Sequence, residues 1–205
     1  ELNQMERYLD LLTTAVDNNE KQFALSVQEI AEDEIAGYPS SLEDFVAELN
    51  DEVRDDFSRR LYSSFVVNWY SFVESQLINF CHLHRLEVSV NIHDQSGLGS
   101  GIRRAKFFLR QAANYEIKSV HWEEIVLVGK IRNRIVHHNR LLPISRTKPK
   151  VKNPIFEKNM GVIYLDVDES QSLYLQKHGI LDYRGLFYVT PNFAYCEHLN
   201  QFGKE

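Results

Sequence analysis

Phe57, Leu61, Phe65, Trp69, Val73, Leu77 and Phe80 step by three or four residues through one uninterrupted stretch of this chain. Apolar side chains at that spacing gather on one face of an α-helix, whereas a strand would scatter them over two sides. At ~1.5 Å per residue, a helix over 57–86 spans roughly 45 Å, enough to run the length of a small domain. A chain with such a strut must fold other helices against it. The expected fold class is mainly α, an antiparallel helical bundle built around this element.

The flanking sequence supplies candidates for those partners. Leu2, Met5, Leu9, Leu12, Val16, Phe23, Val27 and Ile30 follow a helical period over 2–35. Gly37-Tyr38-Pro39-Ser40-Ser41 breaks it. Leu42 to Leu49 reads as a short acidic helix capped by Ser41, close enough to the strut to run into it. Asn91 to Gly101 reads as a polar loop. Ile102 to Tyr115 is a further helix opening with Arg103, Arg104 and Lys106. Another begins near Ser119, buries Trp122, Ile125, Val128, Ile131 and Ile135, and stops at Pro143. Past Pro154 the pattern changes. Gly161 to Val167 and Gly185 to Val189 read as two antiparallel strands, and Pro191 to Phe202 as a closing helix. The expected organisation is an acidic helical segment over 1–56 packing on the bundle, and one domain over 57–205 with a β-hairpin at about 160–190.

Function classes narrow on composition. No apolar run approaches the ~20 residues of a membrane helix, and no basic-then-apolar leader with a cleavage site opens the chain. Cys81 and Cys196 make no disulfide framework, so a cytoplasmic setting without membrane partners is expected. The net charge of −6 conceals a division. Residues 1–56 carry 16 acids against Arg7, Lys21 and Arg54, a balance of −13, which leaves +7 for the rest. Ile125 to Phe156 holds no acid at all, only Lys130, Arg132, Arg134, Arg140, Arg146, Lys148, Lys150 and Lys152. A local basic field attracts polyanions even on an acidic protein. The bases at 146–152 lie among prolines and suit a solvated loop. Arg132 and Arg134 lie inside an apolar-patterned helix.

Lys130-Ile131-Arg132-Asn133-Arg134-Ile135-Val136-His137-His138-Asn139-Arg140 is where chemistry concentrates. Arg presents a planar fork of donors that suits phosphate, and His exchanges protons near neutral pH. Together they form a minimal kit for cutting a phosphodiester without a metal or other cofactor. Arg132 and His137 are five residues apart, so at about 100° per residue they point roughly 140° from each other. One helix does not aim both at one phosphate. Two copies meeting across a twofold axis would, since such an interface presents the same patch twice. Asn133 and His137, four apart, share a face. The same residues also suit a helix surface or a purely structural helix–helix interface.

Arg-Asn, three residues, then His, late in a helix that begins with a Trp-bearing amphipathic turn, resembles the signature of HEPN domains: Arg, four to six residues, His, with a polar residue after the Arg. The resemblance extends to Tyr62–Leu86, a long helix with Glu74 among aromatics, and to Gly101-Ile102-Arg103-Arg104-Ala105-Lys106, in the family's order. It covers 57–142. It implies an all-α, usually dimeric, often metal-independent endoribonuclease of toxin–antitoxin, phage-defence or RNA-processing type. It assigns Arg132, Asn133 and His137 to catalysis. Beside them, Lys130, Arg134, His138 and Arg140 are candidates to hold substrate RNA; Arg134 and Arg140 equally suit solvated surface, and His138 equally suits packing beside Ile131 and Ile135. Glu74 either supports a motif side chain or pairs with a structural Arg. The implied chemistry is attack of the RNA 2′-hydroxyl on the adjacent phosphorus, leaving 2′,3′-cyclic phosphate and 5′-hydroxyl ends. An antitoxin or regulatory protein is a further implied partner. The alternative is a non-catalytic HEPN module that binds RNA, a nucleotide or a partner protein. Asn139 stands where toxins silenced by nucleotide transfer carry a Tyr, so that form of regulation is not implied.

Two other patterns carry less. Cys81, His82 and His84 lack the spacing of a zinc ligand set. Gly97-Leu98-Gly99-Ser100-Gly101 follows no strand pattern and is not a dinucleotide fingerprint.

Overall fold

A computed structural model describes residues 2–34, 39–84, 101–111, 119–142, 144–145, 155–158, 161–165, 167–183 and 187–204. The fold is mainly α. Helices α1 (Leu2–Glu34), α2 (Pro39–His84), α3 (Gly101–Gln111), α4 (Ser119–His138), α5 (Glu169–Lys177) and α6 (Phe193–Phe202) are joined by short strands β1 (Ile144–Ser145), β2 (Ile155–Lys158), β3 (Gly161–Leu165), β4 (Leu181–Tyr183) and β5 (Phe187–Val189). Among the described residues no helix is long and apolar enough to cross a membrane. The polar loop at 91–100 and the basic stretch at 146–152 lie outside the described residues, and so does Pro143.

The expected strut is longer than its apolar stripe. The acidic helix at 42–49 is not separate, and α2 runs unbroken from Pro39 for 46 residues. Pro39 is its first residue, a position where a missing N–H costs nothing. A stripe that steps by four drifts about 40° per step around a helix of 3.6 residues per turn. The buried face of α2 rotates accordingly. Tyr62, Phe65, Val66 and Trp69 are buried in its middle and Cys81 near its end, while Phe80, expected in the stripe, is 36% exposed.

The chain divides into two compact units, Glu1–Val66 with Leu141–Glu205, and Val67–Arg140. In the first, α1 packs on α6. Met5, Leu9, Leu12 and Val16 bury one face of α1. Tyr8 stacks on Phe65 at 6.0 Å between ring centroids, and its hydroxyl lies 3.0 Å from Ser64 Oγ. Lys204 Nζ donates to Glu6 Oε1 at 3.2 Å. Asp168 caps α5 by accepting from the Gln171 N–H at 2.8 Å, and Asn192 caps α6 by accepting from the Tyr195 N–H at 2.9 Å.

The two expected strands exist, but they do not pair with each other. β3 lies between β1 and β2 in an antiparallel sheet of order β1-β3-β2. β5 pairs with β4 instead. Helix α5 separates the two pairs in sequence, so each strand finds its partner locally and the single hairpin at 160–190 is replaced by two small sheets.

In the second unit, Ile102, Ala105, Phe108 and Leu109 of α3 and Trp122, Ile125, Val128 and Ile131 of α4 are buried, and Ile135 is half-buried. Both cysteines are buried and free of disulfide. Cys81 donates to the Ala105 carbonyl at 3.8 Å, and Cys196 to the Tyr62 carbonyl at 3.7 Å. Burial pushes the Cys81 thiol up to about 11, and the Cys196 thiol further. Because the thiolate is the nucleophile, neither should react with iodoacetamide at pH 8 in the native state, and both should react in urea. The same shift lowers stability with rising pH. The unfolded thiol loses its proton from about 9 upward. The folded Cys81 keeps its proton until about 11. Mass spectrometry of alkylated protein checks the first expectation, and urea melts between pH 8 and 11 the second.

Candidate active site

Three helices of the second unit converge on the motif. α2 presents Tyr70, Glu74, Ile78 and Cys81 to α3 and α4, and two glycines let it come close. A Cβ built on Gly101 would stand 2.6 Å from Glu74 Oε1 and 3.0 Å from Ile78 Cδ1. One built on Gly129 would stand 2.9 Å from Tyr70 Cε2 and Oη. Gly101 is the first residue of α3, so the Glu74 carboxylate rests against a helix N-terminus, where the exposed amide dipoles favour negative charge. Gly129 lies one turn before Arg132 on α4, and Tyr70 fills the space its missing side chain leaves. Gly129→Ala should cost about 1–3 kcal/mol by overpacking, read from urea melts.

These residues share an electrostatic field. Burial raises the Tyr70 phenol above its ordinary value and the Glu74 carboxylate raises it further, while the Arg132 and Arg103 guanidiniums pull it down. The phenol is therefore neutral at cellular pH. Arg132 is half-buried, and its Nη1 donates to Asn133 Oδ1 at 3.0 Å. Its Nε is buried and meets no acceptor among the described residues. Arg104 Nε is in the same condition. Lys106, in the same basic run, is occupied elsewhere, 5.3 Å above the Trp122 ring.

The rest of the motif faces outward. Asn133, His137 and His138 are exposed, and Lys130, Arg134 and Arg140 are half-exposed. Val126 and Val136 on the same helix are 40% and 47% exposed, large apolar side chains beside polar ones. The expected stop at Pro143 is corrected, since α4 ends at His138. Asn139 and Arg140 turn left-handed with φ of 47° and 68°, and the Arg140 N–H reaches back to the Arg134 carbonyl at 2.8 Å. Asn tolerates that conformation because its short polar side chain bonds locally. The helix thus ends directly behind the two histidines, both of which are exposed.

The structure brings Arg132 to Asn133, and Tyr70 feels the charges of Arg132, Glu74 and Arg103 together. It leaves His137 on another side of α4, as a separation of five residues requires. Sequence reasoning passed over Tyr70, Gly129 and Gly101 as parts of this arrangement. A glycine inside a well-patterned helix was the available signal, because it costs about 1 kcal/mol against alanine and so implies a packing reason. No family model matches the chain, and no similar curated protein or solved structure was found. The HEPN resemblance therefore rests on the residues themselves.

Proposed function

We propose that this chain is a metal-independent, HEPN-type endoribonuclease, a toxin or phage-defence effector acting in the cytoplasm as a homodimer. The observation that carries the reading is the Arg132 guanidinium held on Asn133 Oδ1 at 3.0 Å, with an exposed His137 further along the same helix. The exposed Val126 and Val136 favour a second copy against this face of α4. Such a pair brings the Arg132 and His137 of both copies to one cleft.

The chemistry follows from the groups. The 2′-oxygen attacks phosphorus, the bond to the 5′-oxygen breaks, and a 2′,3′-cyclic phosphate forms. An imidazole of one His137 takes the 2′-hydroxyl proton, and the other protonates the departing 5′-oxygen. Arg132 neutralises charge gathering on the equatorial oxygens. Lys130, Arg134, His138 and Arg140 hold flanking phosphates of the RNA. An antitoxin or other regulatory protein covering the same face would silence the enzyme.

Purified protein should cut RNA in the presence of EDTA, leave cyclic phosphate and 5′-hydroxyl ends, and spare DNA of the same sequence. Arg132→Ala should lower the rate roughly 10²–10³-fold, the usual loss on removing one charge-stabilising donor. Cleavage that stops with EDTA, or survives intact in Arg132→Ala, overturns the reading. RNA binding without cleavage by the wild-type chain assigns it to the non-catalytic HEPN modules.

A further inference from the structure

Tyr70 has no part in the chemistry above, yet it touches the helix that carries it. We propose that Tyr70 is a positioning residue for Arg132, seated in the gap that Gly129 opens on α4. The nuclease reading bears only on the kinetic consequence of this role.

Side chains on a helix lean toward its N-terminus, so the Arg132 stem leans over the turn that contains Val128 and Gly129. A glycine there leaves a groove in which an arginine could fold flat along its own helix. The Tyr70 ring occupies that groove. A Cβ on Gly129 would stand 2.9 Å from its Cε2 and Oη and 3.0 Å from its Cζ. With the ring in that groove, the guanidinium is directed toward Asn133 Oδ1, which accepts from its Nη1 at 3.0 Å. The inner edge of the fork stays dry, with Arg132 Nε buried and without an acceptor among the described residues. A dry, unpaired donor is unfavourable by itself, so neighbouring packing must hold it in place. Among the described residues, Tyr70 supplies the atoms nearest to α4 at Gly129, one turn before Arg132. Its phenol is neutral at cellular pH and so places no charge against the guanidinium, and the charges of Glu74 and Arg103 act on the same phenol.

The test observes Arg132 directly. In ¹H–¹⁵N spectra of the arginine side chains, the Arg132 Nε–H signal, assigned by its loss in Arg132→Lys, should be resolved and slow to exchange. Tyr70→Phe keeps the ring and should keep the signal. Tyr70→Leu empties the groove and should speed exchange by about tenfold or more, in line with loss of burial. If Tyr70→Leu fails to fold by circular dichroism, Gly129→Ala displaces the ring from the other side and should give the same change. An Arg132 signal unaltered in the folded variant overturns the proposal.

A kinetic arm asks whether the effect reaches the reaction. Tyr70→Leu should lower kcat roughly 10–100-fold with KM nearly unchanged, the pattern of a misplaced group that acts in the transition state. In an Arg132→Ala background it should cost nothing more, because a residue acting through Arg132 has nothing left to act on. A full additional loss in that background overturns the proposal. If the wild type cuts no RNA, the nuclease reading fails while the spectra still decide the role of Tyr70.

Discussion

In the proposed nuclease, His137→Ala should lower RNA cleavage by ~10²–10⁴-fold, the range that general acid–base groups supply. The fold should not notice. His137 is exposed at the end of α4, and exposed substitutions away from caps and packed contacts change stability by about 0.5 kcal/mol or less. The adjacent His138 is the internal control. It is equally exposed but lies 100° further round the helix, so His138→Ala should cost only the few-fold loss of a phosphate contact. Single-turnover cleavage of a labelled RNA, alongside a thermal melt of each variant, separates the two. A folded His137→Ala variant that cuts at the native rate overturns the HEPN-type mechanism built on His137.

Trp69→Ala is the largest expected loss of stability, about 3–5 kcal/mol. Trp69 is 0% exposed and among the largest fully buried side chains of the chain. Removing it deletes a large transfer free energy and leaves a cavity in a well-packed stretch of α2, where Phe65 and Val66 are also fully buried. Urea denaturation measures the cost. Trp122 is then the one remaining tryptophan and serves as the fluorescent reporter. A midpoint unchanged from the wild type would mean that the long helix is not packed as described. The loss should appear in RNA cleavage through the folded fraction, since Trp69 is a core side chain with 0% exposure.

Much of the helical layout was legible because it rests on local rules. The periods that place Met5, Leu9, Leu12 and Val16 in α1 and Trp122, Ile125, Val128 and Ile131 in α4 are the residues the structure buries. Where the reading departed, a non-local choice decided. Gly37 to Ser41 looks like a break, but Pro39 opens α2 and the acidic helix merges with the strut. α5 went unread although Asp168 and Gln171, three apart, carry the spacing of a capping box. The strands were legible as strands. Their pairing was not, because partner choice depends on the intervening helix. The end of α4 was placed at the proline, whereas a left-handed Asn139–Arg140 pair stops it earlier. At the candidate site, sequence supplied Arg132, Asn133 and His137 and their divergence around the helix. It could not supply Tyr70 or the Gly129 gap, because both are facts about what lies across from α4.

Helix α2 is continuous over Pro39–His84, and the division of the chain between its two compact units at Val66–Val67 falls inside its run of hydrogen bonds. Scission there would strand up to four amides on one side and four carbonyls on the other. Truncations, fusions and chimeras should therefore be cut outside Pro39–His84, where no hydrogen bond of this helix is broken.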